Sequence, residues 1–429
     1  MDLTSKLRAI VRSGALTPVR ELTYEPDDGY RNAAALDPDY VASALGGRRI
    51  TTRFGECMVI DRRYESDRWH GGIQIGECTL EDLDSLRVLD PALSDVAPRR
   101  TVFIDLETTG LSGGAGTVAF LVGCGYFDLG AFQVRQFLLM SHAGERALLA
   151  AVAEFFEDAD LIVTYNGKTF DVPVMETRWL FHRMQMPLDG VPHFDMLHSA
   201  RRLWKHDEQG CRLSTLERTL FDVRRVGDVP GLEIPSRFFG FVRSGDPRPL
   251  EPVLEHNRID LVSLAAVTAR AVKLARDGHD ACRDCAEALA LGKIFDKAEH
   301  FRRAEACYRY ATQSPESTVR SDALYRLAVR LRRDRRFGDA ASVWRELMEL
   351  TEPHSMRRGI LGDLRQVAVE ALAIHHEHRA KDFAGARELA LVALEEAEAG
   401  GRADGVRHRL NRLERKLSKR QEARLFAGL

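Results

Sequence analysis

Asp105 and Glu107 stand one residue apart at the end of the segment TVFIDLETTG, residues 101–110. Thr101, Val102, Phe103 and Ile104 are β-branched or aromatic, so the segment reads as a buried strand. Side chains alternate along a strand, and both carboxylates therefore project to one face. Two like charges aimed the same way repel, and a fold tolerates them at a strand end when a cation lies between. Hard oxygen donors of this kind suit magnesium or manganese. Two later segments add matching groups. In DLIVTYNGKTFD (160–171) a short apolar strand runs into a turn opened by Gly167, which carries Asn166 and Asp171. In EPVLEHNRIDLVSLA (251–265), Pro252 suits a first helical turn and the apolar positions follow at helical spacing. His256 and Asp260 are four apart, on one helix face.

The elements needed to position these groups follow from the pattern. Strands are expected near 101–105, 117–127, 131–140 and 160–165, with a further short strand before Asp195. Helices are expected near 144–157, 172–186, 197–204, 212–220 and 251–274. Three strands followed by strand–helix alternation predict a mixed five-stranded sheet flanked by helices. From 286 the texture becomes continuous amphipathic helix. FRRAEACYRYA (301–311), FGDAASVWREL (337–347) and FAGARELALVAL (383–394) share a Phe, an Ala three residues on and an apolar face. Helical partners precede them at 286–298, 320–333 and 364–378. Phe301 and Phe337 lie close to the 34-residue tetratricopeptide period, and the longer gap to Phe383 implies an insertion around 351–359. Three such pairs stack into a short superhelix that offers a surface to a protein partner.

The three chemical segments resemble the DEDD exonucleases, the DnaQ-like branch of the ribonuclease-H-like superfamily. The family's D-x-E, N-x-x-x-F-D and H/Y…D motifs correspond here to Asp105-Leu-Glu107, Asn166-Gly-Lys-Thr-Phe170-Asp171 and His256-Asn-Arg-Ile-Asp260. The histidine comes with three intervening residues, the spacing of the tyrosine subfamily. TTGLSGGAGTVAFLVGCGYF (108–127), FDMLHSARRLW (194–204) and GDVPGLEIPSRFFGFVRSGD (227–246) resemble the YprB-like proteins, which carry tetratricopeptide repeats after such a domain. The resemblance implies an α/β ribonuclease-H-like fold followed by an all-α tetratricopeptide-like repeat domain. It divides the chain into an N-terminal arm and small β-containing region (1–98), a DEDD exonuclease domain (99–275) and helical repeats with a basic last helix (280–429). It also implies a 3′–5′ exonuclease acting on single-stranded DNA or RNA with two divalent cations, magnesium or manganese. Asp105 would bridge the cations, with Glu107, Asp171 and Asp260 completing their shells. His256 would position or deprotonate the attacking water. Thr108 and Asn166 would meet the substrate. A structure-specific endonuclease with the same centre, or a scaffold that holds nucleic acid while the repeats recruit a protein, are the competing readings.

Net charge is −2, which by itself announces no nucleic-acid partner. It divides into about −7 over residues 1–279 and about +5 over 280–429. The final segment, 401–426, is strongly basic, and its expected meaning is a solvated helix face, with contact to phosphates second. Residues 1–16 read as a short amphipathic helix with charges throughout rather than a signal peptide. Residues 17–40 read as an extended arm broken at Asp37-Pro38, and 81–98 as a polar connector. No stretch reaches the ~20 apolar residues of a membrane span. Seven scattered cysteines point to reduced thiols in the cytoplasm. Cys282 and Cys285 with His279 form a lone C-x-x-C, which reads as small residues near a helix start rather than a zinc site. LSGGAGT (111–117) lacks the lysine of a phosphate loop and reads as a tight connection.

Overall fold

The computed structural model describes residues 36–80, 82, 84–93, 99–110, 116–205, 210–351, 360–398 and 404–427. The readings of 1–16, of the insertion at 352–359 and of most of 111–117 lie outside these residues. Among the described residues the central sheet has seven strands rather than the five expected. The strands are β1 (Arg48–Thr52), β2 (Gly55–Tyr64), β5 (Thr101–Thr108), β6 (Ala119–Asp128), β7 (Ala131–Leu138), β8 (Leu161–Thr164) and β9 (His193–Asp195). Their order is β1-β2-β7-β6-β5-β8-β9. β8 and β9 run parallel to β5, and the remaining pairs are antiparallel. The two extra strands come from the N-terminal region. β2 covers the edge of β7 that would otherwise present unpaired backbone groups. This mixed sheet with flanking helices is a ribonuclease-H-like fold.

A two-stranded hairpin, β3 (Trp69–His70) and β4 (Ile73–Gln74), follows β2. Two short helices also differ from expectation. Asp37 does not break the chain but caps α1 (Pro38–Leu45), accepting the N–H groups of Asp39 and Tyr40, with Pro38 in the first turn. α2 (Asp84–Leu89) lies within the supposed connector.

The sheet divides two cores. On one face Val102, Ile104, Val122 and Ile162 pack with α3 (Glu145–Phe156), α4 (Asp171–Phe181) and α7 (Ile234–Ser244). On the other, Phe103, Val163 and Phe194 pack with α5 (Met196–Trp204), α6 (Leu213–Phe221) and the long α8 (Glu251–Asp277). Asp105 and Glu107 share the parity of Phe103 and so face α8.

Among the described residues the C-terminal region is all helical. α9 (Cys285–Lys297) pairs with α10 (Phe301–Ala311), α11 (Ser317–Arg333) with α12 (Phe337–Leu350), and α13 (Ile360–His375) with α14 (Phe383–Glu398); α15 (Asp404–Ala427) closes the array. Each pair turns through a left-handed residue two before its phenylalanine: Glu299, Arg335 and Lys381. Ala304, Ala340 and Ala386, three residues past those phenylalanines, are buried where the helices meet. Each ring lies under a cation from the following repeat: Arg330 over Phe301, Arg379 over Phe337 and Lys416 over Phe383.

The array shares a core with the sheet domain. α9 packs on α5, and Trp204 Nε1 donates to the buried Glu287 at 2.7 Å. Arg270 of α8 pairs with the same carboxylate at 2.7 Å. No helix among the described residues is long and apolar enough to cross a membrane. Cys285 begins α9, and the Cys282 and Cys285 thiols bond to the Gly278 and Tyr310 carbonyls. Neither is in a disulfide.

Candidate active site

The C-terminal end of β5 is where parallel and antiparallel neighbours diverge, a position at which open sheets place ligands. Asp105 and Glu107 project there. Beyond β8 the chain turns through Asn166, whose φ of 71° lies in the left-handed region. Gly167 is required next: a Cβ there would stand 2.4 Å from Thr164 Oγ1. The turn is gripped by the buried Asp195, which accepts the N–H groups of Asn166 at 2.8 Å and Lys168 at 3.0 Å. Asp171 then begins α4, and its carboxylate accepts N–H groups from its own residue and from Leu106. That bond ties the helix start to β5 between the two strand carboxylates. α8 crosses the same face and adds Asp260.

These groups act on one another through their charges. Removal from solvent pushes the Asp105 carboxyl well up, and Asp260, Glu107 and Asp171 push it further. Glu107, which is 9% exposed, is raised by burial, then by Asp260, Asp171 and Asp228. Burial lifts Asp171 to about 7, against its two backbone N–H partners. Carboxylates raised in this way would be relieved by a cation among them.

Two groups unremarked in the sequence hold the cluster. Asn257, fully buried next to His256, donates from Nδ2 to Asp105 Oδ2 at 2.7 Å and to the Asp105 carbonyl at 3.1 Å. Its Oδ1 accepts from Gln136 Nε2 at 2.8 Å, and Gln136 accepts from Arg258 at 3.3 Å. Gly123 sits opposite Asp105 in the β5–β6 register, and a Cβ on it would come within 2.1 Å of Asn257 Oδ1. The glycine makes the room that the asparagine fills.

The second group is Arg225, on the loop after α6. Its guanidinium donates to Asp260, and to Glu217 at 2.6 and 2.9 Å. Burial works against its charge, but Glu217 and Asp260 raise its pKa well past the usual range. Asp228 on the same loop meets His256 Nδ1 at 2.6 Å, and His256 Nε2 lies 3.5 Å from Asp260. The hydrogen bond from His256 holds Asp228 below the usual carboxylate range, although partial burial opposes it. Only the proximity of His256 to Asp260 was signalled by spacing. Arg225 and Asp228 lie in aperiodic chain.

The remaining expected residues are placed less openly. Thr108 is buried, and its hydroxyl donates to the Gly110 carbonyl at 2.8 Å. Asn166 is exposed, its side-chain oxygen accepting from Thr169 at 2.8 Å. His193, which the sequence did not single out, bonds Thr164 Oγ1 at 2.8 Å, and burial drops its pKa to about 4. Among the described residues no three His, Cys, Asp and Glu side chains stand in position to hold a metal ion. Arg225 engages Asp260, and Asn257 engages Asp105. The donor set of hard, buried and mutually repelling carboxylates nonetheless has the chemistry that a divalent cation requires.

Residues 102–272 match the RNase_H superfamily. The chain is also 33% identical over 376 residues to a Bacillus subtilis (strain 168) protein, uncharacterized protein YprB, covering 84% of this chain and 86% of that one. That likeness takes in the sheet domain and much of the helical array together. The chain therefore belongs to the YprB family, with an RNase_H superfamily domain at residues 102–272.

Proposed function

We propose that the chain is a metal-dependent nuclease that hydrolyses phosphodiester bonds in single-stranded DNA or RNA, working from the 3′ end. The observation that carries this reading is the convergence of Asp105, Glu107, Asp171 and Asp260 from three separate elements, with Glu107, Asp171 and Asp260 raising the Asp105 carboxyl and Asp171 and Asp260 raising that of Glu107. A fold keeps such repulsion where function needs it. The superfamily match supports nuclease chemistry, and the resemblance to the DEDD exonucleases supports the 3′–5′ direction.

Asp105, Glu107, Asp171 and Asp260 would hold the cations. Two divalent cations, magnesium or manganese, would there stabilise the attacking and leaving oxygens of the phosphodiester. Asn257 fixes the rotamer of Asp105, and the Leu106 N–H fixes Asp171. Arg225 holds Asp260 and Glu217 in register by charge. His256 donates Nδ1–H to Asp228, which leaves Nε2 as an acceptor able to take a proton from the attacking water. Thr108 and Asn166 border the cluster and would meet the strand end. The exposed faces of the helical array would receive a protein partner.

Digestion of end-labelled and circular single strands separates the alternatives. The proposal expects stepwise shortening from the 3′ end in the presence of Mg²⁺ or Mn²⁺, with circles left intact. Cutting of circles would make the enzyme an endonuclease.

A further inference from the structure

The hairpin β3–β4 builds a cleft against the active site. The cleft measures about 330 Å³ and is lined by Tyr64, Arg68 and Trp69 from the N-terminal region, Arg224 and Val226 from the loop after α6, and Ile259 from α8. Arg225 forms part of its wall, and the same guanidinium bonds Asp260. Arg225 thus connects the cleft to Asp260, the nearest of the four carboxylates along that path.

Its surface is unusual for a free face. Trp69 is 61% exposed and Val226 is 96% exposed. The hairpin that presents Trp69 is firmly fixed. Gly72 N–H donates to the Phe221 carbonyl at 2.6 Å, and Ile75 N–H to the Arg68 carbonyl at 2.9 Å. Gly71 has a φ of 58°, and a Cβ on it would stand 2.2 Å from the Phe221 carbonyl oxygen. His70 Nε2 bonds Ser263 Oγ at 2.9 Å; Ser263 donates to Glu217, the carboxylate that also holds Arg225. A hydrogen-bonded chain therefore runs from the hairpin to Asp260.

Charge selects the occupant. Arg68, Arg224 and Arg225 line the cleft with one acid, Glu255, and that acid is taken by Arg258 at 2.6 and 2.9 Å. Arg225 is already held by Glu217 and Asp260, so the charge offered to a ligand comes from Arg68 and from Arg224, whose pair with Asp222 at 3.2 Å is solvent-exposed. Arg68 lies 4.7 Å over the Tyr64 ring, which sets its guanidinium. A polyanion approaching four carboxylates needs a positive path, and an open indole beside arginines offers a π-face to a base together with donors to a phosphate.

We propose that this cleft binds one nucleotide of a single strand next to the scissile phosphate, with Trp69 stacking on its base and Arg68 and Arg224 facing its phosphates. The inference rests on the nuclease reading above. It gives the N-terminal hairpin a substrate role.

The test uses the full chain carrying Asp105→Asn, so that bound strands survive. Binding of labelled 12-residue oligothymidylate and oligouridylate is measured by fluorescence anisotropy, with and without Trp69→Ala or Trp69→Phe. Losing one stacked base weakens binding by about 5- to 150-fold, and Trp69→Ala is expected to do so for at least one sugar. Trp69→Phe should keep most of the affinity, and both variants should melt with the parent because the ring is exposed. Unchanged binding in Trp69→Ala, with the parent binding and the unsubstituted enzyme cutting, overturns the subsite and leaves the nuclease reading standing. A parent that binds neither oligonucleotide, with an unsubstituted chain that cuts neither, overturns both. Trp69-dependent binding of polyglutamate as tight as that of the oligonucleotides would assign the cleft to acidic peptide instead.

Discussion

At the scale of single residues, the site depends on groups whose roles arise from contact. Asn257 joins Asp105 to Gln136, and Gly123 gives it space. Asn257→Ala is expected to lower metal affinity or turnover by about 10- to 100-fold, the usual cost of losing a partner that orients a ligand. Gly123→Ala should act in the same direction, because its Cβ drives the amide off Asp105. Manganese affinity, turnover and thermal melting measured together separate positioning from misfolding. A variant that melts lower but binds and turns over normally would confine Asn257 to a structural role. The candidate acids were legible because strand alternation and helical spacing fix which way Asp105, Glu107 and Asp260 point. Arg225 and Asp228 were not legible, since a loop has no period and only the folded path of residues 222–229 brings them to His256 and Asp260. Asn257 was hidden beside a more conspicuous histidine. It looks inward to the register partner of Gly123, a pairing that no local pattern displays.

At the scale of elements, the helical array was readable from its phenylalanine–alanine spacing, and its turns place a left-handed residue at the same point each time. The sheet was less readable. β1 is a short, charged edge strand, and β2, between β1 and β7, carries the buried run Cys57, Met58, Val59 and Ile60, but no local pattern shows that the two join the sheet through β7. The basic last helix divides into two uses. Arg412 and Lys416 bond the buried Glu377 at 2.7 to 2.8 Å, so part of the positive run is structural. Those bonds, Arg412 first, pull Glu377 from 4.5 down to about 2 in spite of its burial. A carboxyl lowered on folding stabilises fully above its unfolded pKa, near 4.5, and that contribution disappears as pH falls through about 2. Lowering the pH from 5 toward 2 is therefore expected to release α15 by weakening this contact. Glu377→Gln should loosen the helix already at pH 7 and blunt its further response to acid. Hydrogen exchange over residues 404–422 reads this directly. Equal protection in Glu377→Gln and the parent at pH 7 would contradict it.

At the scale of the whole molecule, composition suggested separable halves, an acidic catalytic part and a basic helical part. The structure joins them through one core. Trp204, Arg270 and Glu287 link α5, α8 and α9, and Leu289 and Leu291 pack in the same cluster as Ala200 and Leu203. This junction was hard to foresee because an amphipathic helix shows that it has an apolar face but not which neighbour covers it. A chain ending at Arg283 strips α9 from α5 and exposes that face. It is expected to lose cooperative unfolding and to aggregate. A chain ending at Ser314 keeps α9 and α10 and should still hydrolyse short strands. Calorimetry of the two truncations decides this. Cooperative melting of the shorter chain at the full-length temperature would show that the sheet domain needs no helical support.

The central claim is that Asp105, Glu107, Asp171 and Asp260 form a metal-dependent nuclease centre. Its most direct test is the rate at which a 3′-extending single strand, labelled at the 5′ end, is shortened by the full chain and by Asp105→Asn, each in Mg²⁺, Mn²⁺ and EDTA. The account predicts shortening by the full chain in at least one metal, none in EDTA, and none by Asp105→Asn although that variant melts normally. Shortening by Asp105→Asn at the rate of the unsubstituted chain, or in EDTA, would contradict it.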